Sequence, residues 1–427
     1  MRLGKGATIR WWIIGLVMLG TILNYLTRSI MGVAAPTAMA ELHISTEQYS
    51  WITGGFQLGI MLQPVAGYIL DLVGLKTGLA LFAAAWGLIT MAHGLATGWM
   101  SLAGLRGLLG FAEGTAHPGA LKVISEWFPA RERGFAGGVY NIGASLGSVL
   151  APLLVAAAVM VWDWRGAFIV AGVLALIWAG MWRHFYNSPE NHPSVSAEEK
   201  ALILEGQESY LRAAPGRPPV GKLLLQRNLW GIALPRFLAD PTWGTLTLWM
   251  PLYLTTVRHF DLAQIAMFAG LPFIAADLGC LFGPFVVYRL QKRGIGLINA
   301  RRGAYTLGAL LMTGMMFVGQ VDSAIAAVAL LCLGGFAHQT LSVTCITMAS
   351  DLFPRNEVGT AAGIAGTMAN LGVLLFTLAM GHFVEQIGYG PFFVALGVLD
   401  LFAAAVMWIL VRAPVSDPTP QKEPEPA

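Results

Sequence analysis

Long apolar runs, each carrying few polar residues, follow one another along almost the whole chain. A helix needs at least about 18 such residues to cross a bilayer. Twelve spans meet that length: residues 11 to 36, 48 to 70, 77 to 96, 99 to 124, 134 to 160, 165 to 186, 228 to 256, 263 to 290, 302 to 319, 324 to 350, 357 to 382 and 389 to 411. Gly and Pro inside them fit the assignment, because neighbouring helices re-satisfy the backbone groups they free. The pattern predicts an all-α polytopic membrane protein. Composition agrees, with 56% hydrophobic and 11% charged residues against roughly 25% charged for a soluble domain.

The basic stretch before the first span resembles a secretory leader, but the hydrophobic part is too long for one. Arg28 interrupts it, and eleven more spans follow. It is read as an uncleaved first helix. Cys280, Cys332 and Cys345 all fall within spans and offer no disulfide framework. Of the 26 Lys and Arg, 21 fall on the face shared by both termini, and only Arg165 and Arg258 on the other. The positive-inside rule then predicts cytoplasmic termini. The remaining basic residues, Arg28, Arg106 and Arg236, lie inside the membrane.

The chain is a duplication. Residues 125–138 read SEWFPARERGFAGG and residues 350–363 read SDLFPRNEVGTAAG, matching at seven of fourteen positions with an offset of 225. The offset also aligns GFAEGT at 110–115 with GFAHQT at 335–340, and Ser145, Leu146, Gly147 with Asn370, Leu371, Gly372. Two six-helix halves of like orientation are expected, residues 1–186 and 228–412, with a binding site between them near the midplane. The polar segment 187–227 reads as a cytoplasmic linker, with Ser196 and Glu199 as a capping box opening a surface helix over 197–211. The tail, 413–427, has a composition expected to be disordered.

Candidate chemistry concentrates in span four. Arg106 and Glu113 lie seven residues apart, about two turns and about 10 Å of helix, so both fall on one face. Ionisable groups at that depth face protein or water and are functional by default. Arg28 in span one has the same standing. The second half has Leu331 and His338 at the positions aligned with Arg106 and Glu113, so the acid and base belong to the first half alone. His338 reads first as a neutral hydrogen-bonding group, with a second protonation site as the alternative. Arg236, with Asp240 one turn on, reads equally as an internal pair, a gate or a substrate contact. Asp277 is a candidate partner for Arg236, and Asp400 has no assigned role. Trp11, Trp12, Trp162, Trp164 and Trp408, near span ends, read as interfacial anchors.

Segment 67–76, GYILDLVGLK, resembles the loop between helices two and three of the major facilitator superfamily, with Gly67, Asp71, Gly74 and Lys76 in place. Asp71 and Lys76 are then candidates for a gate on the cytoplasmic side; the equivalent loop of the second half, 283–294, lacks the Asp. Within the superfamily the chain resembles the anion:cation symporter family through NYLTR at 24–28, VAAP at 33–36 and the Arg106 and Glu113 spacing. LPRFLADPTWGT at 234–245, GGFAHQ at 334–339 and SEWFPARER at 125–133 are similar to bacterial hexuronate transporters over about residues 10–412. The resemblance implies proton-driven uptake of galacturonate or glucuronate across a bacterial inner membrane. It places substrate-carboxylate arginines at Arg28 and Arg106 and the proton-carrying acid at Glu113. Two positions depart from the family pattern: Thr27 stands where many members have Asp, and Gly59 where many have Tyr.

Read from the residues alone, a uronate needs a fixed cation and several neutral hydrogen-bonding groups. Arginine suits the first, since its planar fork meets a carboxylate through two parallel bonds and keeps its charge. Tyr25, Gln57, Asn141, Ser145, His338, Gln339 and Asn370 are candidates for the second. Ionised Glu113 is expected to pair with Arg106, and protonation to free that arginine for the incoming anion.

No metal-ligand pattern, HExxH or Gly-rich nucleotide loop is present, which disfavours an enzyme. The 40-residue linker and short tail leave no room for a signalling domain. No cofactor beyond a proton gradient and no nucleic-acid partner are expected; the partners are a small anionic sugar acid, protons and the bilayer, and the working unit is a monomer. The alternative substrate is another carboxylate, an aldonate or a small hydroxy acid.

Overall fold

The computed structural model describes residues 9–128, 130–205, 220–353 and 355–413, and every regular element among them is helical. Among the described residues, eight helical stretches are long and apolar enough to cross a membrane. The other four predicted spans are helical too, but each is divided: α2 (Thr46–Met61) from α3 (Gln63–Val73), α5 (Trp99–Glu113) from α6 (Ala116–Trp127), α11 (Arg227–Ala239) from α12 (Pro241–Gly244), and α16 (Leu297–Met312) from a short 3₁₀ turn, Thr313–Phe317. Proline explains three of these divisions. Pro64, Pro118 and Pro241 have no N–H to give to the carbonyl four residues back, and their rings crowd it. Span seven is the most irregular, passing from α12 through a π-helical segment, Thr245–Trp249, into α13 (Met250–Thr256).

The helices of the other spans are α1 (Ile9–Leu42), α4 (Leu75–Ala92), α7 (Ala130–Val161), α8 (Trp164–Phe185), α14 (Leu262–Phe268) followed after a two-residue break by α15 (Leu271–Lys292), α17 (Ala324–Leu352), α18 (Arg355–Ile387) and α19 (Gly390–Leu410). Leu81, Leu88, Leu108, Leu278, Leu281 and Phe285 point outward and are exposed, as a lipid-facing surface requires. Trp12, Trp162 and Trp408 are exposed in keeping with interfacial anchoring. Trp164 corrects that reading: it is fully buried, and its indole donates to Glu41 at 2.8 Å.

Glycines set the closest helix packing, where backbones meet without an intervening side chain. A Cβ at Gly59 on α2 would lie 2.0 Å from the Gly107 carbonyl oxygen on α5, and one at Gly110 2.3 Å from that of Phe56. Gly59 is therefore a packing residue with no room for an aromatic ring. Replacing it by leucine is expected to destabilise the protein by about 1–3 kcal/mol or more through overpacking. Gly104→Leu, at a position where a Cβ meets nothing within 4 Å, should leave thermal unfolding in detergent unchanged. Equal unfolding of the two variants would contradict this packing.

The same device extends the repeat beyond the aligned motifs. Gly147 on α7 faces the Ile22 carbonyl of α1, and Gly372 on α18 faces that of Phe237 on α11, an offset of 215 for the carbonyls. Gly110 faces Phe56 and Gly335 faces Pro272, an offset of 216. Spans one and two thus correspond to seven and eight.

Between the two sets of helices, the described hydrogen bonds lie at the end remote from the termini or at mid-depth. Tyr49 Oη donates to the Leu248 carbonyl at 2.6 Å, and the hydroxyls of Thr53 and Thr377 lie 3.3 Å apart. Gly32 and Gly381 fit tightly against Thr247 and Ser50 there. At mid-depth, Ser145 Oγ donates to Asp277 Oδ1. The linker is partly tied down at the other end. Glu199, the third residue of α9 (Ala197–Glu205), gives its backbone N–H to Ser196 Oγ as the capping motif predicts, and its buried carboxylate pairs with Arg10 at 3.3 Å. The predicted continuation of that helix over 206–211, and the tail from residue 414, lie outside the described residues.

Candidate functional site

Helix α1 brings Asn24, Tyr25, Thr27 and Arg28 to mid-depth, where Glu113, the last residue of α5, meets them. Arg28 Nε donates to Glu113 Oε2 at 2.8 Å, and Thr27 Oγ1 lies 2.7 Å from Glu113 Oε1. The Glu113 side chain is 0% exposed and that of Arg28 is 21% exposed. The carboxyl is thus enclosed, while its partner is partly exposed. Arg28 also stands 5.0 Å from the ring centre of Tyr25 and 5.4 Å from that of Phe56, faces that attract a guanidinium.

This pairing corrects the expected one. Arg106 shares a face of span four with Glu113 but makes no ion pair with it; its Nη2 donates to the Arg28 carbonyl at 3.3 Å, and its Nε has no partner. Two turns of one helix separate the groups by about 10 Å, so the arginine that meets the acid comes from a neighbouring helix. Arg106 is 1% exposed and adds an unpaired positive charge behind the site.

Thr27 gives the carboxyl a partner in either protonation state. Its Oγ1 lies 2.8 Å from the Asn24 carbonyl as well as 2.7 Å from Glu113, and one hydroxyl has one proton to give. Against an ionised Glu113, Thr27 donates to the carboxylate. Against a protonated one, Glu113 donates to Thr27, which donates to Asn24. The substitution of the family's Asp by Thr removes a second acid but keeps a group that follows the proton.

In the second half the aligned positions hold different chemistry. His338 corresponds to Glu113, and with the offset of 215 Trp243 corresponds to Arg28; the two rings stack at 5.7 Å and 25°. An aromatic pair stands where the first half has its ion pair. Arg236 Nη2 donates to Asp240 Oδ2 at 2.8 Å within its own helical stretch, which selects the internal pair. Asp277, a candidate partner for Arg236, accepts from Ser145 instead. Ser145 is thereby committed to the contact between halves and is not an open sugar contact in this conformation.

Of the other candidates, Asn370 Nδ2 donates to the Gly366 carbonyl at 2.9 Å, and Arg236 packs near Gly366. Gln57 is buried one turn along α2 from Thr53, and Gln339 is half-buried; neither makes a hydrogen bond among the described residues. Lys76 Nζ donates to Asn187 Oδ1 at 2.6 Å. The side chains of Asp71 and Asn141 lie outside the described residues.

Two residues were missed from the sequence. His117 follows Glu113 by one turn, immediately before Pro118, and is exposed in the gap where it senses both Arg28 and Arg236, from opposite halves. Its Nδ1 lies 2.7 Å from the buried hydroxyl of Tyr140, which fixes the ring. The signals were the spacing of four from Glu113 and the place of Tyr140 beside Asn141. No cluster of three or more metal-ligating side chains occurs among the described residues.

Comparison with known proteins agrees with this architecture. The chain is similar to the hexuronate transporter of Escherichia coli (strain K12), 45% identical over 99% of this chain and 100% of that one. It is also similar to the galacturonate transporter of Dickeya chrysanthemi, 46% identical over 75% of this chain and 94% of that one. The fold is similar to the crystal structure of a D-xylose-proton symporter, with a TM-score of 0.74 at 16% identity, covering 94% of this chain and 98% of that one. The Major Facilitator Superfamily pattern matches residues 17–337 and 297–427. By sequence and by fold, the chain belongs to the Major Facilitator Superfamily.

Proposed function

We propose that the protein is a proton-coupled symporter that takes up a hexuronate such as galacturonate or glucuronate by alternating access between its two six-helix halves. The observation that carries this reading is the Arg28 and Glu113 pair, an enclosed acid on a partly exposed arginine. A substrate carboxylate and the Glu113 carboxylate compete for the same guanidinium. Protonating Glu113 releases Arg28, so anion and proton load together as a neutral pair while the charge of the site is unchanged. Arg106 raises the local positive potential, and His117, Tyr140, Gln57 and Asn370 offer neutral groups for ring hydroxyls. The names of the relatives, a hexuronate and a galacturonate transporter, support this substrate class.

The distribution of basic residues supports cytoplasmic termini, and in that orientation the closed end of the molecule faces outward and the gap opens inward. The membrane is then the bacterial inner membrane, and one chain holds the whole site.

Counterflow into proteoliposomes tests the substrate class. Galacturonate and glucuronate are expected to compete with labelled galacturonate, and an aldonate to compete about tenfold more weakly, the effect of roughly 1.4 kcal/mol of lost contacts to the ring. An aldonate that competed as well as the uronates would reject the hexuronate reading.

A further inference from the structure

Asp400 sits midway along α19, in the most apolar of the helices, and is 0% exposed. Neither of its carboxyl oxygens has a hydrogen-bond partner. The elements packed against α19 are α11, α16, α18 and the 3₁₀ turn Thr313–Phe317. Among the described residues, the charged or titratable groups they bring towards the interior are Arg236 and Asp240 from α11 and its C-terminal cap, and Tyr305 and Arg302 from α16, with Cys345 of α17 behind them. None of these satisfies Asp400. Arg236 is held by Asp240 at 2.8 Å, and Arg302 is bonded to the Val411 carbonyl and to Asn299. Tyr305 lies close enough to Asp400 to sense its charge, yet its hydroxyl is buried without a partner too.

The interior charges of the two halves are therefore unequal in a useful way. Arg28 and Arg106 against Glu113 leave the first half one positive charge in excess, which suits an anion. With Arg302 held on Val411 at the end of α19, eleven residues beyond Asp400, Arg236 against Asp240 and Asp400 leaves the middle of this core one negative charge in excess, unless Asp400 binds a proton. A buried carboxylate with no donor and no cation is costly, and neutralisation is the ordinary outcome. We propose that Asp400 is a second proton-binding site of the transport cycle, occupied in the conformation seen here.

Release follows from where Arg236 stands. Its Nε is buried without a partner, so the guanidinium has a donor to spare for a second carboxylate. The chain just beyond Asp240 is the α12 and π-helical stretch, and that stretch is the part of span seven bound to the first half, through Tyr49 on Leu248 and Gly32 against Thr247. Before the remote end reopens, Arg236 turns from Asp240 to Asp400, the Asp400 O–H bond breaks, and the proton leaves to water on the cytoplasmic side. Opening the remote end then breaks those contacts, moves the segment that anchors Asp240, returns Arg236 to it and lets Asp400 take a proton from outside.

The inference rests on the symport reading, and two measurements separate their failures. First, the response of galacturonate flux in proteoliposomes to an imposed membrane potential gives the coupling ratio, because one proton per galacturonate moves no net charge and two move one positive charge. Two protons per galacturonate are expected for the wild type and one for Asp400→Asn, whereas a wild-type ratio of one, with proton-driven uptake intact, overturns the second site and leaves symport standing. Second, infrared difference spectra on adding galacturonate should contain a protonated-carboxyl band that is lost in Asp400→Asn and moved in Asp400→Glu. A wild-type spectrum with no carboxyl change beyond the one removed by Glu113→Gln would assign Asp400 a static proton and overturn the proposal, whether or not Asp400→Asn folds.

Discussion

Arg28→Ala is expected to abolish uptake while unsettling the fold through the group it leaves behind. Removing one member of a buried, hydrogen-bonded charge pair costs roughly 2–5 kcal/mol of binding, at least about 30-fold in substrate affinity. It also strands Glu113, which is 0% exposed, and breaking a buried pair costs about 3–5 kcal/mol of stability. The two effects separate in the double variant. Arg28→Ala with Glu113→Gln has no stranded charge, so its thermal unfolding in detergent should recover most of the loss, while uptake stays absent. Arg28→Lys keeps the charge but not the fork that fits a carboxylate, and should fall between. Full uptake in Arg28→Ala would remove the arginine from the site.

Glu113→Gln should have the opposite character, with the fold intact and the coupling through this acid lost. Glutamine has the shape of the protonated acid and can still exchange a hydrogen bond with Thr27. Arg28 is then permanently free of an internal anion. Exchange of labelled for unlabelled galacturonate should continue at a rate near that of the wild type, and the share of pH-driven accumulation that Glu113 couples should disappear. The pH profile carries a second signature. In the wild type, binding weakens as pH rises, because the ionised carboxylate competes for Arg28; in Glu113→Gln that dependence should be flat. A variant whose exchange fails along with its accumulation would make Glu113 a structural residue.

The spans were legible in the sequence because lipid demands long apolar runs and little else, and the duplication was legible because its loops and glycines repeat at fixed offsets. Divisions within spans were not placed in advance. Pro64, Pro118 and Pro241 were visible, but whether a proline kinks, divides or merely bends a helix depends on the packing around it. Residue choice at the site could be read from cost alone: Arg28, Arg106 and Glu113 are expensive in an apolar helix and stood out. Their partners could not. The spacing of seven pointed to Arg106 as the mate of Glu113, whereas the contact that forms joins residues 85 apart in sequence, set by where the fold brings the middle of α1 and the end of α5. Gly59 illustrates the same limit from the other side. As a letter it was a missing tyrosine, and only the 2.0 Å approach to Gly107 identifies it as a requirement of packing. His117 was overlooked because a single histidine before a proline carries no pattern, and its exposure between two arginines of opposite halves exists only in the folded chain.

Purified protein in proteoliposomes, with an inward-directed proton gradient imposed on galacturonate at equal concentration on both sides, tests the central claim most directly. The account predicts transient accumulation above equilibrium in the wild type, collapse of that overshoot when a protonophore is added, a smaller overshoot in Glu113→Gln, and none when Asp400→Asn is added to it. Accumulation that is indifferent to the gradient, or that persists undiminished in Glu113→Gln, would contradict it.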